Sequence, residues 1–143
     1  MAQIEQMFPS DYDEVIALWK NSKGISVDES DSRDGIRSFL SRNPSMSCVA
    51  REGGILVGAV LGGHDGRRGY LHHLAVAQSH RGRGIGRLLA ENVLAALAVK
   101  GIIKCHLFVR TDNAEARRFW SHAGWRQRDD IVMMTQLLHS ASA

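Results

Sequence analysis

Cysteine is scarce in this 143-residue chain, which has two. Cys48 and Cys105 each sit inside an apolar, strand-like run, and neither belongs to a C-x-x-C pair or a zinc-ligand spacing. They read as buried, reduced thiols of a cytosolic protein rather than as a disulfide framework or a metal knot. Proline also occurs twice, as Pro9 and Pro44, each beside an expected helix end. No apolar run approaches the ~18 residues of a membrane span. The opening residues, Met1 to Gln6, have neither the basic start nor the apolar stretch of a secretory signal. No repeat, linker or low-complexity tract interrupts the chain. A single domain over 1–143 is therefore expected, large enough for a real core. Charge is mildly one-sided, with a net +3 and a pI near 9.2. That favours anionic ligands but does not by itself support a nucleic-acid function.

What the chain does have is a stretch from Tyr70 to Lys100 around which the rest is organised. Tyr70 to Val76 reads as a buried strand. Arg81-Gly82-Arg83-Gly84-Ile85-Gly86-Arg87 follows as a turn with glycine at every second position. Ile85, Leu88, Leu89, Val93, Ala96 and Leu97 then recur at helical spacing. A strand that feeds a glycine turn and then a helix points free N–H groups, at the positive end of a helix dipole, toward whatever lies above. That is an anion site. Two familiar phosphate loops are excluded. No Gly-Lys-Ser/Thr occurs, and the G-x-G-x-x-G pattern beginning at Gly82 fails at Arg87. The pattern that fits is Arg81-x-x-Gly84-x-Gly86.

Around this stretch the chain reads as alternating elements. Gln3–Met7 is a short strand. A helix starts at Pro9-Ser10-Asp11 with Tyr12, Val15, Ile16 and Trp19 on one face. The polar segment 21–30 is a loop. A second helix is capped by Ser30-Asp31-Ser32, turns Ile36, Phe39 and Leu40 inward and stops near Asn43-Pro44. Residues 47–51 and 55–61 are strands joined by Glu52-Gly53-Gly54, a hairpin signal. After the long helix, Gly101 is a stop and Ile103–Val109 a strand. Asp112 can cap a last helix, with Glu115 three residues on, that buries Ala116, Phe119, Trp120 and Ala123 and ends at Gly124. Trp125–Arg128 and Ile131–Leu138 are the last strands, and Ser140-Ala-Ser-Ala143 is a frayed end. The order β-α-α-β-β-β-α-β-α-β-β implies an α/β fold (α+β in some schemes), a mixed sheet with helices on both faces.

The Arg81-x-x-Gly84-x-Gly86 turn resembles the pyrophosphate loop of the GNAT superfamily of acyltransferases, written R/Q-x-x-G-x-G/A. The segment Asn113 to Trp125 resembles that family's second signature, with Asn113, Ala116, Phe119, Gly124 and Trp125 at matching places. The element order matches nearly throughout. The run Leu61-Gly-Gly-His-Asp-Gly-Arg-Arg-Gly69 further resembles the bacterial YpeA-type branch. The resemblance implies a mostly antiparallel sheet splayed at its two central strands. It also implies an N-acetyltransferase that moves an acetyl group from acetyl-coenzyme A to an amine of a small molecule or peptide, by direct attack in a ternary complex and without a metal. Main-chain groups of Leu74-Ala75-Val76 would pair with the pantetheine arm as an added strand. Amides of Gly82 to Arg87, including Ile85 and Gly86, would hold the pyrophosphate, with Arg81, Arg83 and Arg87 as cationic neighbours. Asn113, Phe119 and Trp120 would complete the coenzyme site, the alternative for Asn113 being a helix-start residue.

The chemistry sets further expectations. A lysine-like amine, with a pKa near ~10.4, is almost wholly protonated at neutral pH, so a base is needed. Histidine suits that task. His72 and His73 lie just before the expected splay. Strand alternation groups His72 with Tyr70, Leu74 and Val76, and His73 with Leu71 and Ala75, so one of the two faces the acceptor. Tyr70, Asp28 and Glu29 are further candidates. Adjacent strand histidines without a third ligand do not make a metal site. Where many family members carry a tyrosine to protonate the departing thiolate, this chain has Trp120, whose indole N–H is no acid. Two other readings compete. One is a module that binds acetyl-coenzyme A without turnover. The other, ranked last, is a nucleic-acid binder built on Arg81–Arg87, which lacks interleaved aromatics. The terminal strands would allow a monomer or a homodimer.

Overall fold

The computed structural model describes residues 1–139, and the expected frayed end at Ser140–Ala143 lies outside them. The chain divides into two compact units, Met1–Arg110 and Thr111–Ala143.

The first unit holds one sheet whose strands follow chain order: β1 Gln3–Gln6, β2 Cys48–Glu52, β3 Ile55–His64, β4 Gly69–Val76 and β5 Cys105–His106. The first three pairings are antiparallel and the last is parallel. This is the mixed, mostly antiparallel sheet expected. Helices α1 Tyr12–Lys20 and α2 Arg33–Arg42 cover one face. There Val15 and Trp19 of α1 and Ile36 of α2 join Met7, Val49, Leu56, Ala59, Leu61 and Ala75 in one buried cluster. Each fully buried aliphatic side chain contributes about 1.5–3 kcal/mol. The helix starts follow local chemistry: Ser32 Oγ accepts from Gly35 N–H at the head of α2, as an N-cap should.

Helix α3, Ile85–Val99, lies on the opposite face. Its buried Leu89, Val93 and Leu97 repeat every fourth residue, and each sits over a glycine. A methyl group added at Gly58, Gly62 or Gly69 would stand 3.0 Å from Leu89 Cδ1, 2.5 Å from Val93 Cγ1 or 2.6 Å from Leu97 Cδ1. The glycines of β3 and β4 thus form a trough for α3. The trough fixes where the start of that helix stands relative to the end of β4. Leu88, expected on the inner face, is 49% exposed, and Ala90 is buried in its place.

Three further expectations are corrected. Strand β5 is limited to Cys105–His106 rather than 103–109, because its ladder with β4 ends at Tyr70 opposite His106. Beyond that pair the two strands part. The segments Trp125–Arg128 and Ile131–Leu138 are not strands. Ile131, Val132, Met133, Met134, Leu137 and Leu138 are exposed. A strand needs a neighbour for its main-chain hydrogen bonds, and among the described residues none pairs with this segment. Among its described residues the second unit has one regular element, α4, Ala114–His122. Asn113, not Asp112, caps it: Asn113 Oδ1 accepts from Ala116 N–H at 3.0 Å.

Candidate active site

The site is built on an irregularity in β4. Ala75 pairs with Ala59 and His72 with Leu61, so His73 and Leu74 together face the single residue Val60. This is a β-bulge. His73 carries it with φ of 55°, a left-handed conformation rare outside glycine. The bulge overturns the alternation expected for the two histidines. Both turn to the α1/α2 face. His72 lies against Phe39 of α2, with ring centroids 6.1 Å apart, and His73 meets Trp19 of α1 edge-on at 4.9 Å.

Their surroundings differ. His73 Nε2–H donates to Asp31 Oδ2 at 3.1 Å. Asp31 closes the 3-10 turn Glu29–Asp31 ahead of α2 and is buried, with 6% exposure. Burial pushes its carboxyl up, but the hydrogen bonds from His73 and the Asp28 N–H, with the charges of both histidines, outweigh it and hold the pKa below the usual carboxylate value. Among the described residues His72, next to the bulge, has no such carboxylate partner. It stands among rings nearly parallel to its own: Tyr70 at 6.0 Å and 4°, and Phe108 at 6.2 Å and 18°. Burial lowers its pKa below 6.5, helped by neighbouring His73 and opposed by Asp31. The imidazole is therefore neutral at neutral pH and able to accept a proton.

At the far end of β4 the chain enters the glycine turn. Gly82 and Gly84 have φ of 77° and 80°, conformations that glycine adopts without strain. Gly84 is the N-cap of α3 and, having no side chain, leaves the first-turn N–H groups uncapped. Ile85 and Gly86 open the helix. Arg81 Nε–H donates to Val76 O at 3.1 Å and pins the turn to the end of β4. Arg83 approaches Glu52 at 3.5 Å and Arg87 approaches Glu91 at 3.4 Å, both largely exposed. Glu52 also accepts from His80 Nε2 at 2.9 Å, and this bond is the main reason its carboxyl is held below the usual range.

The structure thus brings His72, His73, Leu74–Val76 and the 81–87 turn onto one strand–turn–helix. Asn113, Phe119 and Trp120 belong to the second unit, where Phe119 and Trp120 pack edge to face at 4.9 Å and Trp120 meets Trp125 at 5.2 Å. Asp31, Trp19 and Phe108 were not singled out from sequence as partners of the histidines. Asp31 is separated from His73 by 42 residues, and no spacing rule connects them. Among the described residues no group of three or more His, Cys, Asp or Glu side chains could hold a metal ion. No helix among them is long and apolar enough to cross a membrane.

This strand–turn–helix and its sheet define an acyltransferase class of fold, shared with solved enzymes. The PaiA N-acetyltransferase of Thermoplasma acidophilum, solved in complex with coenzyme A, matches with a TM-score of 0.80 at 19% identity, over 90% of this chain and 92% of that one. AAC(6')-Iy, solved with a bisubstrate analogue of coenzyme A and acetylneamine, matches with a TM-score of 0.76 at 18% identity, over 96% and 99%. The acetyltransferase (GNAT) family model matches residues 12–125, and the chain belongs to that family. An acetyltransferase of Pectobacterium atrosepticum is 37% identical over 128 residues, 90% of each chain. The protein is an acyl-coenzyme-A-dependent N-acetyltransferase, with acetyl-coenzyme A as co-substrate and an amine as acceptor.

Proposed function

We propose that the pyrophosphate of acetyl-coenzyme A lies on the main-chain amides of Gly82 to Arg87, and that His72 is the base that deprotonates the acceptor amine. The observation that carries this reading is the start of α3 on a left-handed glycine with no side chain capping it. Donor groups at a helix N-terminus that no side chain satisfies are suited to a phosphate. The edge of β4 beyond Tyr70 has no strand partner among the described residues. That supports pantetheine pairing with Leu74, Ala75 and Val76 in the manner of an added strand. The roles of Asn113, Phe119 and Trp120 toward the coenzyme rest on the motif match alone.

His72 is preferred to His73 because the Nε2–H of His73 is committed to Asp31, whereas His72 is neutral and lies among the rings beside the β4–β5 gap. The amine nitrogen, once deprotonated, attacks the thioester carbon directly. A main-chain amide of the bulge polarises the carbonyl oxygen. The carbon–sulfur bond then breaks and coenzyme A leaves as thiolate. With a thiol pKa near ~8.5 the thiolate leaves without a side-chain acid, which accommodates Trp120 in place of tyrosine. The product is an amide; the first of the two protons the ammonium loses rests on His72 until solvent takes it, and the second leaves the nitrogen for solvent as the tetrahedral intermediate collapses.

The test is coenzyme A thiol release from acetyl-coenzyme A against pooled amino acids, polyamines, aminoglycosides and peptide N-termini. Release above the no-acceptor blank is expected, and splitting the pool names the amine. Silence with acetyl-coenzyme A bound in the same sample would remove His72 from a catalytic role toward these acceptors.

A further inference from the structure

A histidine holds the bulge position of β4 where the backbone is left-handed, a place that normally selects glycine. Its φ of 55° is shared by one other non-glycine in the left-handed region, Ser45 at 65°, among the described residues. Something must compensate for a side chain in that conformation, and the surroundings of His73 identify it. The imidazole Nε2–H reaches Asp31 Oδ2 at 3.1 Å, with side-chain exposures of 23% and 8%. The ring edge rests on Trp19, which is wholly buried. Asp31 is itself held on several sides. Its Oδ2 also accepts from Asp28 N–H at 3.2 Å, and its main-chain oxygen accepts from Tyr12 O–H at 2.7 Å. The bulge of β4 is thereby tied to α1 through Trp19 and Tyr12, and to the turn before α2 through Asp31.

We infer that the Asp31–His73 pair is a clasp that keeps the β4 bulge in its left-handed form, so that the bulge amides stay aimed at the thioester carbonyl. Asp31 and His73 are then positioning residues, and neither carries a proton in the reaction. The inference rests on the reading above that a bulge amide polarises the carbonyl. It adds an explanation for the two histidines being adjacent. His72 serves the acceptor, and His73 serves the backbone on which the donor carbonyl rests.

The geometry also dictates a rescue. If the role of His73 is to stabilise a backbone shape, glycine, which adopts that shape unaided, should replace it, whereas alanine should not. If the His73 imidazole instead took part in the reaction itself, both variants would fail alike. The carbonyl can be read without knowing the acceptor. The infrared stretch of [1-13C]acetyl-coenzyme A, bound to saturation, falls in wavenumber when an amide polarises the carbonyl. The parent enzyme is expected to lower the stretch relative to free acetyl-coenzyme A. His73→Ala and Asp31→Ala should return it toward the free value. His73→Gly and Asp31→Asn, which keeps an acceptor oxygen for Nε2–H, should stay near the parent.

Loss of the shift in both His73→Ala and His73→Gly would overturn the clasp, as would its full retention in His73→Ala. A parent enzyme with no shift would instead overturn the polarisation reading, and the clasp with it. Should His73→Ala fail to fold, the comparison of Asp31→Ala with Asp31→Asn carries the same decision. Binding of acetyl-coenzyme A, measured by calorimetry, should change less than threefold in the glycine and asparagine variants.

Discussion

At the scale of single residues, the two histidines show how one backbone irregularity redistributes chemistry. Sequence reasoning placed them on the strand that feeds the glycine turn, and both lie on β4. It assigned them to opposite faces, and they are not, because the bulge adds a residue between His72 and Ala75. Nothing in the residue types announces a bulge at a histidine, since left-handed positions advertise themselves through glycine or asparagine. The assignment of His72 as base carries a definite pH dependence. Its pKa is lowered on folding, so the neutral, proton-accepting form persists below the ordinary histidine range of about 6.5. Activity should therefore be retained as pH falls toward 6.5 and be lost only further into acid, as the imidazole finally protonates. His72→Gln should lower kcat by about 10²–10⁴ and remove that acid limb. A His72→Gln enzyme with the parent's rate across pH 6–9 would place the base elsewhere. The same sign governs Asp31. Its carboxylate form is favoured in the folded protein, so its contribution to stability is present at neutral pH and lost as pH falls through its lowered pKa.

At the scale of elements, the strand–turn–helix was legible because each part has a local cause. Alternating glycines mark the turn, and the apolar repeat marks α3. What the glycines of β3 do was not legible. The run Gly62-Gly63 looks like a flexible turn, yet it lies inside a ten-residue strand. Its glycines are there for clearance: Gly62 under Val93 of α3, and Gly63 under Phe39 and Asn43 on the other face. Gly62→Ala should therefore push α3 off the sheet. The new methyl would meet Val93 Cγ1 at 2.5 Å and the main-chain oxygen of Met46 at 2.6 Å, and the latter cannot rotate away. A loss near the upper end of the ~1–3 kcal/mol typical of overpacking is expected. Gly53→Ala, in the β2–β3 hairpin with φ of 58° and open space around it, should cost only the left-handed backbone term of ~1–2 kcal/mol. Denaturant melts of the two variants decide this; equal losses would mean that α3 does not depend on the trough. The C-terminal strands failed for the converse reason. Residues 131–138 have the composition of a strand, but pairing is a property of two segments, and composition reports on one.

At the scale of the whole molecule, the proposed anion site at the head of α3 ties ligand binding to stability. Acetyl-coenzyme A that binds the folded chain and not the unfolded one stabilises it by about 2.7 kcal/mol at 100 times its Kd. For a chain of this size each kcal/mol moves the melting midpoint by roughly 3–4 °C, so a rise of about 10 °C is expected. The rise should depend on the pyrophosphate contact. Gly84 is exposed, with nothing within 4 Å of where a side chain would begin and φ of 80°. Gly84→Glu should thus lower the ligand-free midpoint only through the left-handed backbone, while placing a carboxylate where the phosphates are to lie. The expected result is a folded variant whose melting midpoint no longer responds to acetyl-coenzyme A. Gly84→Ala, strained in the same backbone but uncharged, should keep part of the response. If Gly84→Glu melted with the parent's full ligand-induced rise, the coenzyme would have to bind away from α3. The uncapped helix start would then be a structural turn rather than the anchor of the donor.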